Sequence, residues 1–168
     1  MVWNQENASH LLRRAAFGES PENLGKFLRR NSTLTEAVDT LLGFRPSKKK
    51  PPAKNAVDEY NVRKMQRWWL KQMIKKRKPD DGCREKLVLF LHGLLVSGLA
   101  AQPTLKYTSY QNRLFRMNAK GNYRDLIREF NRDPANLYFL DGILNVASND
   151  GVHVNANENF GRELMELF

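Results

Sequence analysis

Helix-start signals recur along this chain, and no segment between them alternates polar and apolar residues as a half-buried strand would. Ser20-Pro21-Glu22 sets an N-cap residue, a first-turn proline and an early acid in succession. Thr33 with Glu36 forms a capping box. Asn122 with Asp125 repeats that spacing, and Asp133-Pro134 is a further cap and first-turn pair. Each signal supplies an acceptor for backbone N–H groups that a helix start leaves unpaired. The expected fold class is therefore all-α: an irregular multi-helix bundle with no sheet and no internal repeat, forming one helical domain over residues 1–168.

Apolar spacing places the helices. Leu11, Leu12, Ala15 and Ala16 give the first, stopped by Gly18 in a left-handed conformation. Ala37, Val38, Leu41 and Leu42 give the third, running to Gly43. Arg45 to Lys54 holds three prolines and four lysines and reads as an exposed loop. A long helix is expected from Ala56 to Lys78, with a stripe of Val57, Tyr60, Met65, Trp68, Trp69, Gln72 and Met73, ended by Pro79. Cys83 to Ser97 is apolar nearly all round and should be central. Gly98 to Thr108 reads as loop. Helices follow at Ser109 to Arg116, from Asn122, and from Asn157 or Glu158 after a polar loop.

Hydrophobic residues make up 41% of the chain, enough for a core. The one cysteine, Cys83, excludes an intrachain disulfide. Leu87 to Ala101, the longest apolar region, is broken by His92 and two glycines, short of the roughly 18–20 residues a membrane span needs. No basic-then-apolar leader opens the chain, which reads as cytoplasmic as it stands. Charge is the uneven property. Arg45 to Lys86 carries 15 Lys/Arg against 5 Asp/Glu, and so holds the whole net charge of +10; the remainder has 13 of each. A local excess of this kind attracts anions. Lys71, Lys75, Lys76, Arg77 and Lys78, with Trp68 and Trp69 nearby, combine cations with aromatic rings and suit a polyanion surface.

The last helix concentrates polar groups: Asn157, Glu158, Asn159, Arg162, Glu163 and Glu166. Asn159, Glu163 and Glu166 share a face at i, i+4, i+7, and Glu158 with Arg162 is an i, i+4 pair. Glu163 and Glu166 are candidates for acid–base work, with His10 and His92 as possible helpers. His10, His92 and Glu163 could form a two-histidine, one-carboxylate set, but no histidine pair has zinc-helix spacing and no metal site is assigned. Arg13 and Arg14 cannot both face the core, so one is expected to pair with Glu163 or Glu166, or to hold an anionic substrate group. There is no nucleophile elbow, P-loop or dinucleotide fingerprint, and no cofactor follows from the sequence.

Several stretches taken in order carry a family likeness: His10-Leu11-Leu12-Arg13-Arg14-Ala15-Ala16-Phe17-Gly18, Phe90-Leu91-His92, Gly121-Asn122-Tyr123-Arg124-Asp125-Leu126, Leu140-Asp141-Gly142, and Asn157-Glu158-Asn159-Phe160-Gly161-Arg162-Glu163-Leu164-Met165-Glu166-Leu167. Together they resemble a large bacterial family catalogued as domain of unknown function number 1800. The resemblance implies that the chain is the N-terminal portion of a longer protein, since members continue past the terminal motif. It also shows two departures. Members usually carry a Trp-His-Asn-His-Phe-like run where this chain reads Leu91-His92-Gly93-Leu94-Leu95, and an asparagine where it has Gly142. Members often occur beside exported sulfatase-like proteins, which implies a sulfatase-like partner and an envelope location. The family brings no established activity.

Two functions are expected. The first is a structural or interaction module whose basic segment meets an anionic polymer, with nucleic acid a less favoured partner. The alternative is a hydrolase acting on an anionic polymer or polysaccharide through the terminal-helix carboxylates.

Overall fold

The computed structural model describes residues 2–74, 78–145 and 158–167, and among them every regular element is helical. Nine α-helices follow one another among the described residues: α1 Gln5–Ala15, α2 Pro21–Arg30, α3 Leu34–Leu42, α4 Glu59–Ile74, α5 Pro79–Leu94, α6 Leu105–Asn118, α7 Tyr123–Phe130, α8 Pro134–Phe139 and α9 Glu158–Leu167. Short 3-10 turns at Leu99–Ala101 and Gly142–Leu144 complete the set. No described helix is long and apolar enough to cross a membrane.

The caps stand where their residues place them. The Ser20 hydroxyl accepts from the Asn23 N–H at 3.3 Å, and Pro21 takes the first turn of α2. The Thr33 hydroxyl accepts from the Glu36 N–H at 3.2 Å, while the Glu36 carboxylate reaches back to the Ser32 N–H at 2.6 Å. The Asn122 and Asp133 side chains cap α7 and α8 in the same way. Gly18, at φ 75°, ends the first helical segment with its N–H on the Leu12 carbonyl.

Two apolar clusters form the interior, and α5 belongs to both. Ala8, Leu12, Leu24, Phe27, Ala37, Leu41, Phe44 and Cys83 join α1, α2 and α3 to the start of α5. Val88, Leu91, Leu95, Phe115, Leu126 and Phe130 join the far half of α5 to α6 and α7. Burying each of the larger side chains stabilises the fold by roughly 1.5–3 kcal/mol. The central position expected for this helix is met, although Leu89 and Phe90 lie exposed on its outer face.

Several boundaries differ from the sequence reading. Pro79 does not close the long helix; it opens α5, where its missing N–H would have had no partner anyway and Asp80 and Asp81 favour the dipole. The start of α4 is Glu59, not Ala56. Helix α6 begins at Leu105, four residues before the expected start, because the Thr104 hydroxyl caps it by taking the Lys106 N–H. The proline- and lysine-rich segment at residues 45–54 is tied down. The Ser47 N–H donates to the Arg116 carbonyl, and the carbonyls of Pro51 and Lys54 accept from Ser109 and Thr104. This strap runs antiparallel along α6 and brings Pro52 alongside α4.

Candidate functional site

The basic segment and the best-formed polar network of the molecule meet at α4. Asn61, Met65, Trp69 and Met73 fall on one face of that helix at i, i+4, i+8 and i+12, and this face packs inward. Tyr60 and Val57, expected in the apolar stripe, are exposed instead at 72% and 42%. The other face of α4 is cationic. Arg63, Lys64, Arg67 and Lys71 line a groove of about 570 Å³ together with Tyr60, Trp68, Glu59 and Pro52 of the strap. Glu59, the one carboxylate lining the groove, is bonded to Arg63 at 2.5 Å.

Trp68 lies between groove and interior. The Arg116 guanidinium sits over its ring at 5.1 Å. Arg116 is fully buried and makes a two-pronged pair with Glu85, which is 1% exposed. Its Nε donates to Asn112 Oδ1 at 2.8 Å, and the Trp69 indole N–H donates to Glu85 at 3.1 Å. Arg84 adds a second cation 3.5 Å from Glu85. The network extends to His92. Because Arg116 can only donate, the Asn112 oxygen faces it and the Asn112 amide N–H₂ faces His92 Nε2, at 3.1 Å. That nitrogen must therefore accept, which requires a neutral ring. Burial, with the nearby Arg116 charge, holds the His92 imidazole down at about 4. Its ring packs against Trp69 and Phe115 at 4.9 and 4.7 Å. This histidine is thus a hydrogen-bonded interior residue that locks α4, α5 and α6.

A second buried set centres on Gln111 of α6. Gln111 donates to Asp133 at 2.8 Å and accepts from Ser97 at 2.6 Å. Burial pushes the Asp133 carboxyl up to about 6, against hydrogen bonds from Asn136, Gln111 and Ala135 that pull it down.

The remaining candidates are dispersed. His10, Arg13 and Arg14 are exposed on α1. No ion pair joins either arginine to Glu163 or Glu166 among the described residues, so the expected α1–α9 pairing is absent there. Nor do α9 and α1 form a packed interface among the described residues. Its described anchor is Phe160, whose ring comes within 3.1 Å of where a Cβ on Gly142 would stand. On α9, Arg162 turns to Asn159 at 2.5 Å and Glu163 at 3.7 Å rather than to Glu158. Glu163 is half-buried and Glu166 exposed. Among the described residues no group of three His, Cys, Asp or Glu side chains could hold a metal, so His10, His92 and Glu163 do not assemble. Lys71 lines the groove, whereas Lys78 stands just before the first turn of α5 without a side-chain cap bond and faces a small pocket with Lys26 and Arg30. Lys75, Lys76, Arg77 and Asn157 lie outside the described residues.

Sequence reasoning missed Glu85, Arg116 and Asn112. The signal was present: Glu85 falls in register with Val88 and Leu91 on the inward face of α5, and Arg116 with Asn112 and Ser109 on that of α6. A charge in an apolar register needs an opposite charge in another.

No curated protein and no solved structure matches this chain. A family model does, over residues 10–168: the chain belongs to the family described as protein of unknown function, DUF1800.

Proposed function

We propose that this chain is an interaction module that holds an anionic polymer against the outer face of α4. One observation carries the reading: four cations, Arg63, Lys64, Arg67 and Lys71, line one groove beside two aromatic rings, with a single opposing carboxylate. Clustered cations release counterions from a polyanion when they bind it, which makes the affinity large at low salt and steeply salt-dependent. Aromatic rings add contact area that a merely solvated charged face would lack.

The test compares two variants of equal charge on a heparin column. Arg63→Gln/Arg67→Gln/Lys71→Gln empties the groove of three cations. Lys26→Gln/Arg29→Gln/Arg30→Gln removes three exposed cations from α2. The groove variant should elute at clearly lower salt than the α2 variant. Co-elution of the two would show that only net charge matters and would sink the reading.

A further inference from the structure

The groove residues fall into two rows of different kind. Arg63, Arg67 and Lys71 follow at i, i+4 and i+8, so about 1.5 Å of rise per residue spaces them in steps of about 6 Å. Beside them Tyr60, Lys64 and Trp68 form a parallel row with an aromatic ring at each end, about 12 Å apart. One row is thus wholly cationic, while the other carries a ring at each end with Lys64 between them. Tyr60 is 72% exposed, so its ring is open to a ligand. Trp68 is held from the interior: Arg116 occupies one face of the indole, and Arg116 is itself fixed by Glu85. It is a platform set in place before any ligand arrives, which lowers the ordering cost of binding.

We infer that the polymer this groove accepts is a single-stranded nucleic acid; the inference rests on the anionic-polymer reading above. In a single strand the charges follow the backbone and the flat bases project to one side, which suits a wholly cationic row beside a row ended by two rings. An extended strand, drawn out from the duplex rise of about 3.4 Å per nucleotide, brings its phosphates near the 6 Å step of α4. Arg63, Arg67 and Lys71 then meet successive phosphates, while Tyr60 and Trp68 receive bases two nucleotides apart. Base stacking on aromatic side chains tolerates any sequence. A sulfated glycan carries its charges on the rings themselves and does not separate the two rows. A duplex hides its base faces. Glu59 opposes the phosphate at the Arg63 end, because its carboxylate already holds that guanidinium.

The experiment is fluorescence anisotropy with a labelled 12-nucleotide single strand, competed by a duplex hairpin, a heparin fragment and inorganic polyphosphate. The single strand should bind tightest. The slope of log K against log salt should be about −2 for three phosphate contacts, falling by about 1.4 in Arg67→Gln/Lys71→Gln. Tyr60→Ala, at an exposed position that leaves the fold intact, should weaken the single strand at least about fivefold with the slope unchanged and polyphosphate binding unaffected. Glu59→Gln should tighten it. An unchanged affinity in Tyr60→Ala, or equal competition by heparin or polyphosphate, overturns the single-strand inference while leaving a groove for polyanions. Binding of none of the polymers removes both.

Discussion

Replacing Glu85 by alanine leaves the Arg116 guanidinium buried without its carboxylate. The two side chains are 1% and 0% exposed, so water cannot take over. Stranding a buried charge in this way costs about 3–5 kcal/mol. The Trp69 indole N–H loses its acceptor as well, adding about 1 kcal/mol. A total of about 4–6 kcal/mol is a large share of the roughly 5–15 kcal/mol available to a folded domain. For a chain of this size it should lower the melting temperature by roughly 10–20 °C in a calorimetric or circular-dichroism scan. The double variant Glu85→Leu/Arg116→Met removes both charges and should recover most of the loss, because desolvation offsets much of what the pair contributes. If Glu85→Ala melts within about 2 °C of the wild type, Arg116 has another partner or reaches solvent, and the network described for α4, α5 and α6 is wrong.

Other expectations follow from the same interior. His92 has its folded value depressed from 6.5 to about 4, so its contribution is present above pH 6.5 and lost as pH falls toward 4. Asp133 has its folded value raised from 3.8 to about 6, so its contribution is present below pH 3.8 and lost as pH rises through 6. Between about pH 4 and 6 the two oppose each other. Asp133→Asn should unmask the histidine, making stability from urea midpoints rise with pH by up to about 1.4 kcal/mol per pH unit in that window; an unaltered pH profile would contradict the assignment. Gly142→Asn puts a side chain where Leu137 and Phe160 already lie within 2.9 and 3.1 Å of a Cβ, so amide exchange in α9 should quicken, and unchanged protection would refute the contact. Burial pushes the Cys83 thiol up, so a disulfide reagent should react slowly with the native chain at pH 8 and promptly in denaturant; prompt reaction of the native chain would show the thiol to be accessible.

What the sequence displayed was local. Ser20, Thr33, Asn122 and Asp133 act on N–H groups two or three residues away, so their caps could be read directly. Pro79 was ambiguous for a physical reason: a proline ends one helix and begins another by the same missing N–H, and only the packing of α5 decides between them. Residues 45–54 looked like a free loop because their ties are made by backbone N–H and carbonyl groups, which leave no mark in side-chain chemistry. The candidate site divided along the same line. The cationic excess near α4 was visible as composition, while its partition into two rows needed the helix start at Glu59 and the inward turn of Met65 and Trp69. Glu85 and Arg116, 31 residues apart, meet only through tertiary packing. The arginines that did attract notice, Arg13 and Arg14, stand in solvent, because Ala8, Leu11, Leu12 and Ala15 supply the inward face of α1.

Backbone amide shifts of the ¹⁵N-labelled chain, followed while a short polyanion is titrated in, locate the binding face without any substitution. Shifts concentrated in residues 59–71 and in the strap beside Pro52, saturating together and fading with added salt, are the expected result. Shifts gathered on α2 or α9, or spread evenly over every lysine and arginine, would contradict a groove built on α4.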